Sequence, residues 1–349
     1  MPQKLGVGII GAGPVTQAIH LPALARLAER FEVREIMDAD AGVAEAVARR
    51  AGARATGSVE ALLANPDVDV VAICSPHRFH AEQTIAACRA GKKAVLCEKP
   101  LTLSVAEAEA VAEVQRETGV PVIVGTMHTF DAAWKWARES WGETAGSAHA
   151  IRSSIILPPN ARFEDFATEV VARPADVEAD LSDAAVRAQI AHLGLMAVGI
   201  HNMPHLRSFL PPGEPVRILD AEGLQPPFGY RVLAQAGECR IDLRCLMYGT
   251  WKPSWIFEAY GTDRRLHIDF TPSYVQAGSA SASISTPRGT TSNAPTSQNG
   301  YVEEWDDLAR LALGELPAPD LSVAVEDLRL AMSLADATAE FISKGAGQR

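Results

Sequence analysis

From Leu5 to Val124 short apolar runs alternate with helical stretches, and this alternation constrains the fold more than any other feature of the chain. Leu5–Ile10, Phe31–Met37, Val68–Cys74, Ala94–Cys97 and Val120–Val124 read as strands; Pro14–Leu27, Gly42–Arg50, Ser58–Leu63, His80–Ala90 and Ser104–Thr118 read as helices. Strands buried on both faces are continuous Val/Ile/Leu runs, and parallel neighbours need a crossover helix between them. The pattern predicts an α/β chain that opens on a doubly wound parallel sheet.

With 349 residues the chain is too long for one core, so a second domain is expected. The pattern changes beyond a helix near Phe130–Ser140. A strand over His149–Ile156 precedes a Pro- and acid-rich insertion, Leu157–Asp183, which predicts a loop with a short helix. Ala184–Leu210 is helical and interrupted at Pro204. The closely spaced runs Val216–Ala221, Tyr230–Leu233, Cys239–Tyr248, Ile256–Tyr260 and Arg265–Phe270 predict a mixed or antiparallel, open-faced sheet. Ser279–Asn299, dominated by Ser, Thr, Gly, Ala and Asn, reads as a mobile surface loop, and helices over Tyr301–Leu313 and Ser322–Ile342 close the chain. The predicted division is 1–125 and 126–349, with the C-terminal helix free to pack back on the first domain.

Gly11-Ala12-Gly13 joins the first strand to the first helix. Such a turn lets a pyrophosphate approach backbone N–H groups at a helix N-terminus, where the dipole favours negative charge. Gly11, Ala12, Gly13, Pro14 and Val15 are therefore predicted to hold a dinucleotide in a Rossmann domain, although Thr16 replaces the third glycine of the fingerprint. Asp38 ends the second strand 25 residues after Gly13. A carboxylate there accepts from ribose hydroxyls and repels a 2′-phosphate, and Ala39 brings no cation, so NAD is expected rather than NADP.

The formal charge of −11, with no basic block, argues against nucleic-acid or anionic-membrane partners. Five cysteines without CxxC spacing read as reduced, buried thiols. Neither a signal segment nor an apolar stretch of spanning length is evident, so a cytoplasmic location is expected.

Further stretches then agree in order with one family: His20-Leu21-Pro22-Ala23-Leu24, Val70 to Pro76 with His80 following, Cys97-Glu98-Lys99-Pro100, Gly199-Ile200-His201 and Glu258 to Thr262. With these the chain resembles the glucose–fructose oxidoreductase / inositol dehydrogenase / rhizopine-catabolism (Gfo/Idh/MocA) family. The resemblance implies that Ser75 and Pro76 lie along the cofactor and Glu98 contacts the nicotinamide-side ribose. It places Lys99 near the substrate oxygen and makes His201 the acid/base. His80 is counted with the cofactor residues, though packing its own helix is the plainer role. The implied substrate is a polyol or sugar, and the implied assembly is a homodimer or homotetramer built on the second-domain sheet. Trp251, Trp255 and Phe257 in that half predict a sheet that needs a covering layer.

The substrate half departs from the family pattern. The acid usual one helical turn before the histidine is Ala197, and Asn202 and Pro204 replace acids after it. His128, His192 and His205 are candidates for the missing polar partner, and His128, Asn202 and His205 for contact with the substrate. His201 and His205 lie one turn apart, but Asn202 stands where a zincin needs glutamate, so no metal is predicted. The expected function is an NAD-dependent oxidoreductase acting on CH–OH groups of a sugar, glycoside or cyclitol. Two alternatives stay open: an NAD-binding sensor without turnover, and transient oxidation driving elimination or epimerisation.

Overall fold

The computed structural model describes residues 4–165, 168, 179–250 and 252–345. The chain divides into two compact units. The first contains Met1–Phe130, Ala161–Arg173 and Gly300–Glu326; the second contains Asp131–Asn160, Pro174–Asn299 and Asp327–Arg349.

In the first unit, strands β1 (Leu5–Ile10), β2 (Phe31–Met37), β3 (Arg54–Thr56), β4 (Val70–Ile73), β5 (Ala94–Glu98) and β6 (Val122–Gly125) form one sheet ordered β3-β2-β1-β4-β5-β6. Every pairing is parallel. The order reverses between β1 and β4, the switch point of a Rossmann sheet, and all carboxyl ends lie along one edge. β3 escapes the sequence pattern because its three residues are exposed or half-buried and carry no apolar run.

The helix over Gly300–Ala312 belongs to this unit, whereas a boundary at 125/126 had left it in the second domain. Its buried stripe Val302, Trp305, Leu308 and Ala309 completes a core with Leu24, Leu27, Phe31 and Ile36. Trp305 packs edge-on to Phe31, with ring centroids 5.3 Å apart. Burying such a stripe is worth more than any local propensity, so it decides where the helix docks.

In the second unit β7 (Ala150–Leu157), β8 (Val216–Gly223), β9 (Tyr230–Ala236), β10 (Cys239–Met247), β11 (Ser254–Tyr260), β12 (Arg265–Asp269), β13 (Ser281–Thr286) and β14 (Gly289–Ser292) form a sheet ordered β14-β13-β12-β11-β7-β10-β9-β8. Only β7 and β10 run parallel. Strict alternation in β9 and β10 gives one buried face and one half-exposed face.

Three expectations need correction here. Ser279–Asn299 is not a loop: β13 and β14 form a hairpin, with Ala280, Ala282 and Ile284 buried at alternate positions. Phe257 lies fully buried among Trp134, His205 and Phe209, and Trp255 is fully buried against His201 and Asn202, so they give no ground for a second copy; Trp251 lies outside the described residues. Pro204 does not interrupt a helix but opens one, Met203–Phe209, where its missing N–H is harmless. Within the predicted insertion a short helix spans Ala161–Glu164, and most of the remainder up to residue 178 lies outside the described residues.

Candidate active site

β1 is followed by Gly11, whose φ of +98° suits glycine. A Cβ there would stand 2.6 Å from the Cys74 carbonyl carbon, so the turn presses directly on the end of β4. A Cβ on Gly13, by contrast, would meet nothing within 4 Å, although this residue lines a large groove. Thr16, at the third-glycine position, is fully buried and donates its hydroxyl hydrogen to the Gly11 carbonyl at 2.5 Å. Gln17 donates to the Ala12 carbonyl at 2.8 Å. The departure from the glycine fingerprint thus braces the turn, and a π-helical segment, Thr16–His20, continues it.

Asp38 holds the same turn from the neighbouring strand. Its Oδ2 accepts from the Ala12 N–H at 2.8 Å, and its Oδ1 accepts from the Asp40 N–H at 2.9 Å. An ionised carboxylate has about four acceptor positions, so two remain for other donors.

The groove encloses about 1080 Å³ and is lined by Gly11, Gly13, Asp38, Ala39, Ser75 and Pro76, among others. Cys74, His77, Arg78, Phe79, Gln83 and Leu103 complete much of its wall and were missed by sequence reasoning. The Arg78 guanidinium stacks 4.5 Å over the Phe79 ring, and both Phe79 and Leu103 are exposed. Exposed apolar residues right after a strand-end Ser-Pro were the available signal. Burial, reinforced by His80 and by the Lys99 charge, lowers His77 to about 4, leaving a neutral imidazole in this wall. Pro14 and Val15 begin the helix after the turn but do not line the groove.

His80 does not face the groove. It is fully buried, and its ring nitrogens meet the carbonyls of Pro100 at 2.7 Å and Ser75 at 2.9 Å. With both nitrogens so placed, it ties the Ser75 loop to the end of β5 and leaves no edge for a ligand.

Glu98 and Lys99 stand at the carboxyl end of β5, on the same sheet edge as the groove but outside its wall. The Glu98 carboxylate lies flat against Gly125, where a Cβ would approach it to 3.0 Å. It accepts from the Lys99 N–H at 3.0 Å and faces His20 Nε2 at 3.1 Å. Burial pushes Glu98 up, but the His20 hydrogen bond and the Lys99 charge outweigh it and hold it below the usual carboxylate range. Lys99 is lowered by burial, an effect Glu98 only partly offsets.

In the second unit His201 sits in a tight turn, Gly199–Asn202, and is largely buried, its ring edge-on to Trp255 at 5.6 Å. Asn202 and His205 are both buried in the core of the second unit. The Asn202 amide donates to Ser153 Oγ at 2.6 Å and accepts from the Trp255 indole at 2.8 Å, so its polar ends serve the core. His205 is fully buried in an aromatic box of Trp134, Phe257 and Phe270. His128, in a short turn after β6, is also buried. Among the described residues no cluster of three or more His, Cys, Asp or Glu side chains is placed to hold a metal.

Residues 5–126 match the profile of an oxidoreductase family with an NAD-binding Rossmann fold. An inositol 2-dehydrogenase of Saccharopolyspora erythraea is 37% identical over 38% of this chain and 39% of its own length. A 1,5-anhydro-D-fructose reductase of Ensifer adhaerens is 37% identical over 44% of this chain and 46% of its own. The aligned stretch thus spans less than half of either relative. Over longer stretches, a D-xylose 1-dehydrogenase (NADP(+)) of Haloferax volcanii is 29% identical across 68% of this chain and 63% of its own length. A UDP-N-acetylglucosamine 3-dehydrogenase from Acidithiobacillus ferrooxidans shares the fold, with TM-score 0.72 and 20% identity over 97% of this chain and 99% of that one.

Proposed function

Since this chain belongs to the Gfo/Idh/MocA family of oxidoreductases, we propose that it is an NAD-dependent dehydrogenase or reductase of a sugar, glycoside or cyclitol CH–OH group. The observation that carries this reading is the groove itself. Gly11 turns where only glycine fits, Gly13 leaves open the space a Cβ would fill, and Asp38 stands at the next strand end with acceptor positions to spare. These residues suit a dinucleotide: the turn for the pyrophosphate, Asp38 for the adenosine ribose, and Ser75 and Pro76 along its length. Bound there, the nicotinamide supplies the acceptor or donor of hydride.

The remaining roles belong to the chain's own side chains. Glu98, anionic and fixed against Gly125, accepts from a ribose hydroxyl. Lys99 stabilises negative charge growing on a substrate oxygen, and its lowered pKa eases proton exchange. His201 takes or returns the hydroxyl proton, the usual work of a histidine near neutral pH. Asp38, with Ala39 beside it, favours NAD over NADP. Assembly through the half-exposed face of the second sheet, where Ile156, Leu233, Leu246 and Ile256 mix with Arg152 and Asp242, gives a homo-oligomer.

The test is titration of NAD and NADH by protein fluorescence, alongside turnover with a panel of polyols and sugars. Lys99→Ala and His201→Ala should each lose most turnover while binding NADH as the wild type does. A wild-type protein that binds neither nucleotide form would overturn the reading.

A further inference from the structure

Beneath the end of β5 lies a buried polar chain of which the roles above use only Glu98. His20 is fully buried, in the helical segment behind the glycine turn, and Trp305 reaches it from a position 285 residues later. The Trp305 indole N–H donates to His20 Nδ1 at 3.1 Å, and His20 Nε2 faces Glu98 Oε1 at 3.1 Å. An indole nitrogen can only donate, so Nδ1 must present a lone pair and the ring hydrogen must sit on Nε2, aimed at the carboxylate. Glu98 is thereby fixed on three sides: His20 at one oxygen, the Lys99 N–H at the other, and Gly125 beneath.

The titratable groups around this ring are Glu98 from β5, Cys74 from the end of β4 and Glu304 from the Gly300–Ala312 helix. Burial lowers His20, while Cys74 and Glu98 raise it further than burial lowers it. The Trp305 hydrogen bond opposes that second proton, because an imidazolium has no lone pair at Nδ1 to receive it. Glu304 adds no negative charge: both its oxygens are buried without a hydrogen-bond partner, and burial, with Glu98 nearby, holds it protonated well above the usual carboxylate range.

We propose that Trp305 and His20 are positioning residues for Glu98: the indole locks the imidazole with its hydrogen on Nε2, and that hydrogen holds the carboxylate in the orientation in which it receives the cofactor. The part concerning the cofactor rests on the function proposed above; the locked ring does not. Two measurements separate them. Nitrogen NMR of ¹⁵N-histidine-labelled protein without nucleotide, assigned by the signal missing in His20→Gln, should show His20 with a bare Nδ1 and a protonated Nε2. Trp305→Phe should let that ring take a second proton at neutral pH. A hydrogen on Nδ1 in the wild type, or an unchanged titration in Trp305→Phe, would overturn the inference whatever the protein binds.

For the cofactor part, His20→Leu removes the donor to a charged acceptor and should weaken NADH binding by about tenfold or more. His20→Gln, whose amide still donates, should recover most of that loss. In Trp305→Phe the NADH affinity should become pH-dependent through the neutral range. Equal losses in His20→Leu and His20→Gln would reduce His20 to a packing residue. Wild-type protein that binds no NADH while its ring is locked would instead reject the functional reading and leave the tautomer standing.

Discussion

Replacing Asp38 by asparagine probes cofactor choice with little change of shape. The carboxylate already accepts from Ala12 and Asp40, so asparagine, with one acceptor oxygen, keeps one of these bonds and cannot keep both. Hydrogen bonds to a charged acceptor are worth about 1.5–3 kcal/mol, so losing one to the ribose should weaken NAD about ten- to hundredfold. The same change removes a repulsion felt only by NADP. Two unit charges about 4 Å apart at an effective dielectric near 20 interact by about 4 kcal/mol, which sets an upper bound on the gain. The ratio of NAD to NADP affinity should therefore fall by at least about tenfold, from both sides at once. Fluorescence titration of both nucleotides against wild type and Asp38→Asn measures it, with a urea melt recording the cost of the altered turn. A wild type that binds NADP as tightly as NAD would refute the reasoning, as would a ratio unmoved by the substitution.

Gly11→Ala forces a side chain into a left-handed backbone and against the Cys74 carbonyl; it should cost about 2–5 kcal/mol in a denaturant melt and abolish NADH binding, and near-wild-type stability would show that the turn is looser than described. Glu304 has its pKa raised in the folded state, so it binds a proton more tightly there than when unfolded, and its contribution is present below about 4.5 and lost as pH rises. Glu304→Gln should flatten this decline and be the more stable protein at alkaline pH; parallel stability–pH curves would contradict it. Asn202→Ala takes from the Trp255 indole its acceptor and should destabilise by about 1–3 kcal/mol with NADH affinity unchanged; a loss of binding without loss of stability would return Asn202 to the site.

The first unit was legible because its strands β1, β4 and β5 are buried on both faces, and such strands leave an unbroken apolar run. The glycine turn and Asp38 were legible for a similar reason: a phosphate and a ribose demand particular residue types at a strand end. β13 and β14 were not, because most of their side chains are exposed Ser, Thr and Gly, and only the pairing of β13 with β12 and of β14 with β13 makes them strands. The surroundings of His205 and Asn202 were not legible, because a polar residue in an apolar stretch looks like a ligand until its neighbours are known, and those neighbours, Phe270 and Ser153, come from remote segments. The Trp305–His20–Glu98 chain joins three remote segments, so no local pattern could announce it. Phe79 follows the strand-end Ser75-Pro76 closely enough to be noticed, but Leu103 and Gln83 join it in the groove from other segments, which only the fold brings together.

The most direct test of the account is a single-turnover experiment at the absorbance band of reduced nicotinamide, with enzyme in excess over NAD and a panel of cyclitols, sugars and glycosides. The account predicts a rise in absorbance with at least one of them, strongly slowed in Lys99→Ala and in His201→Ala while both still bind NADH. Unchanged rates in both variants, or NAD bound but never reduced and NADH never oxidised by any compound or its ketone, would contradict it.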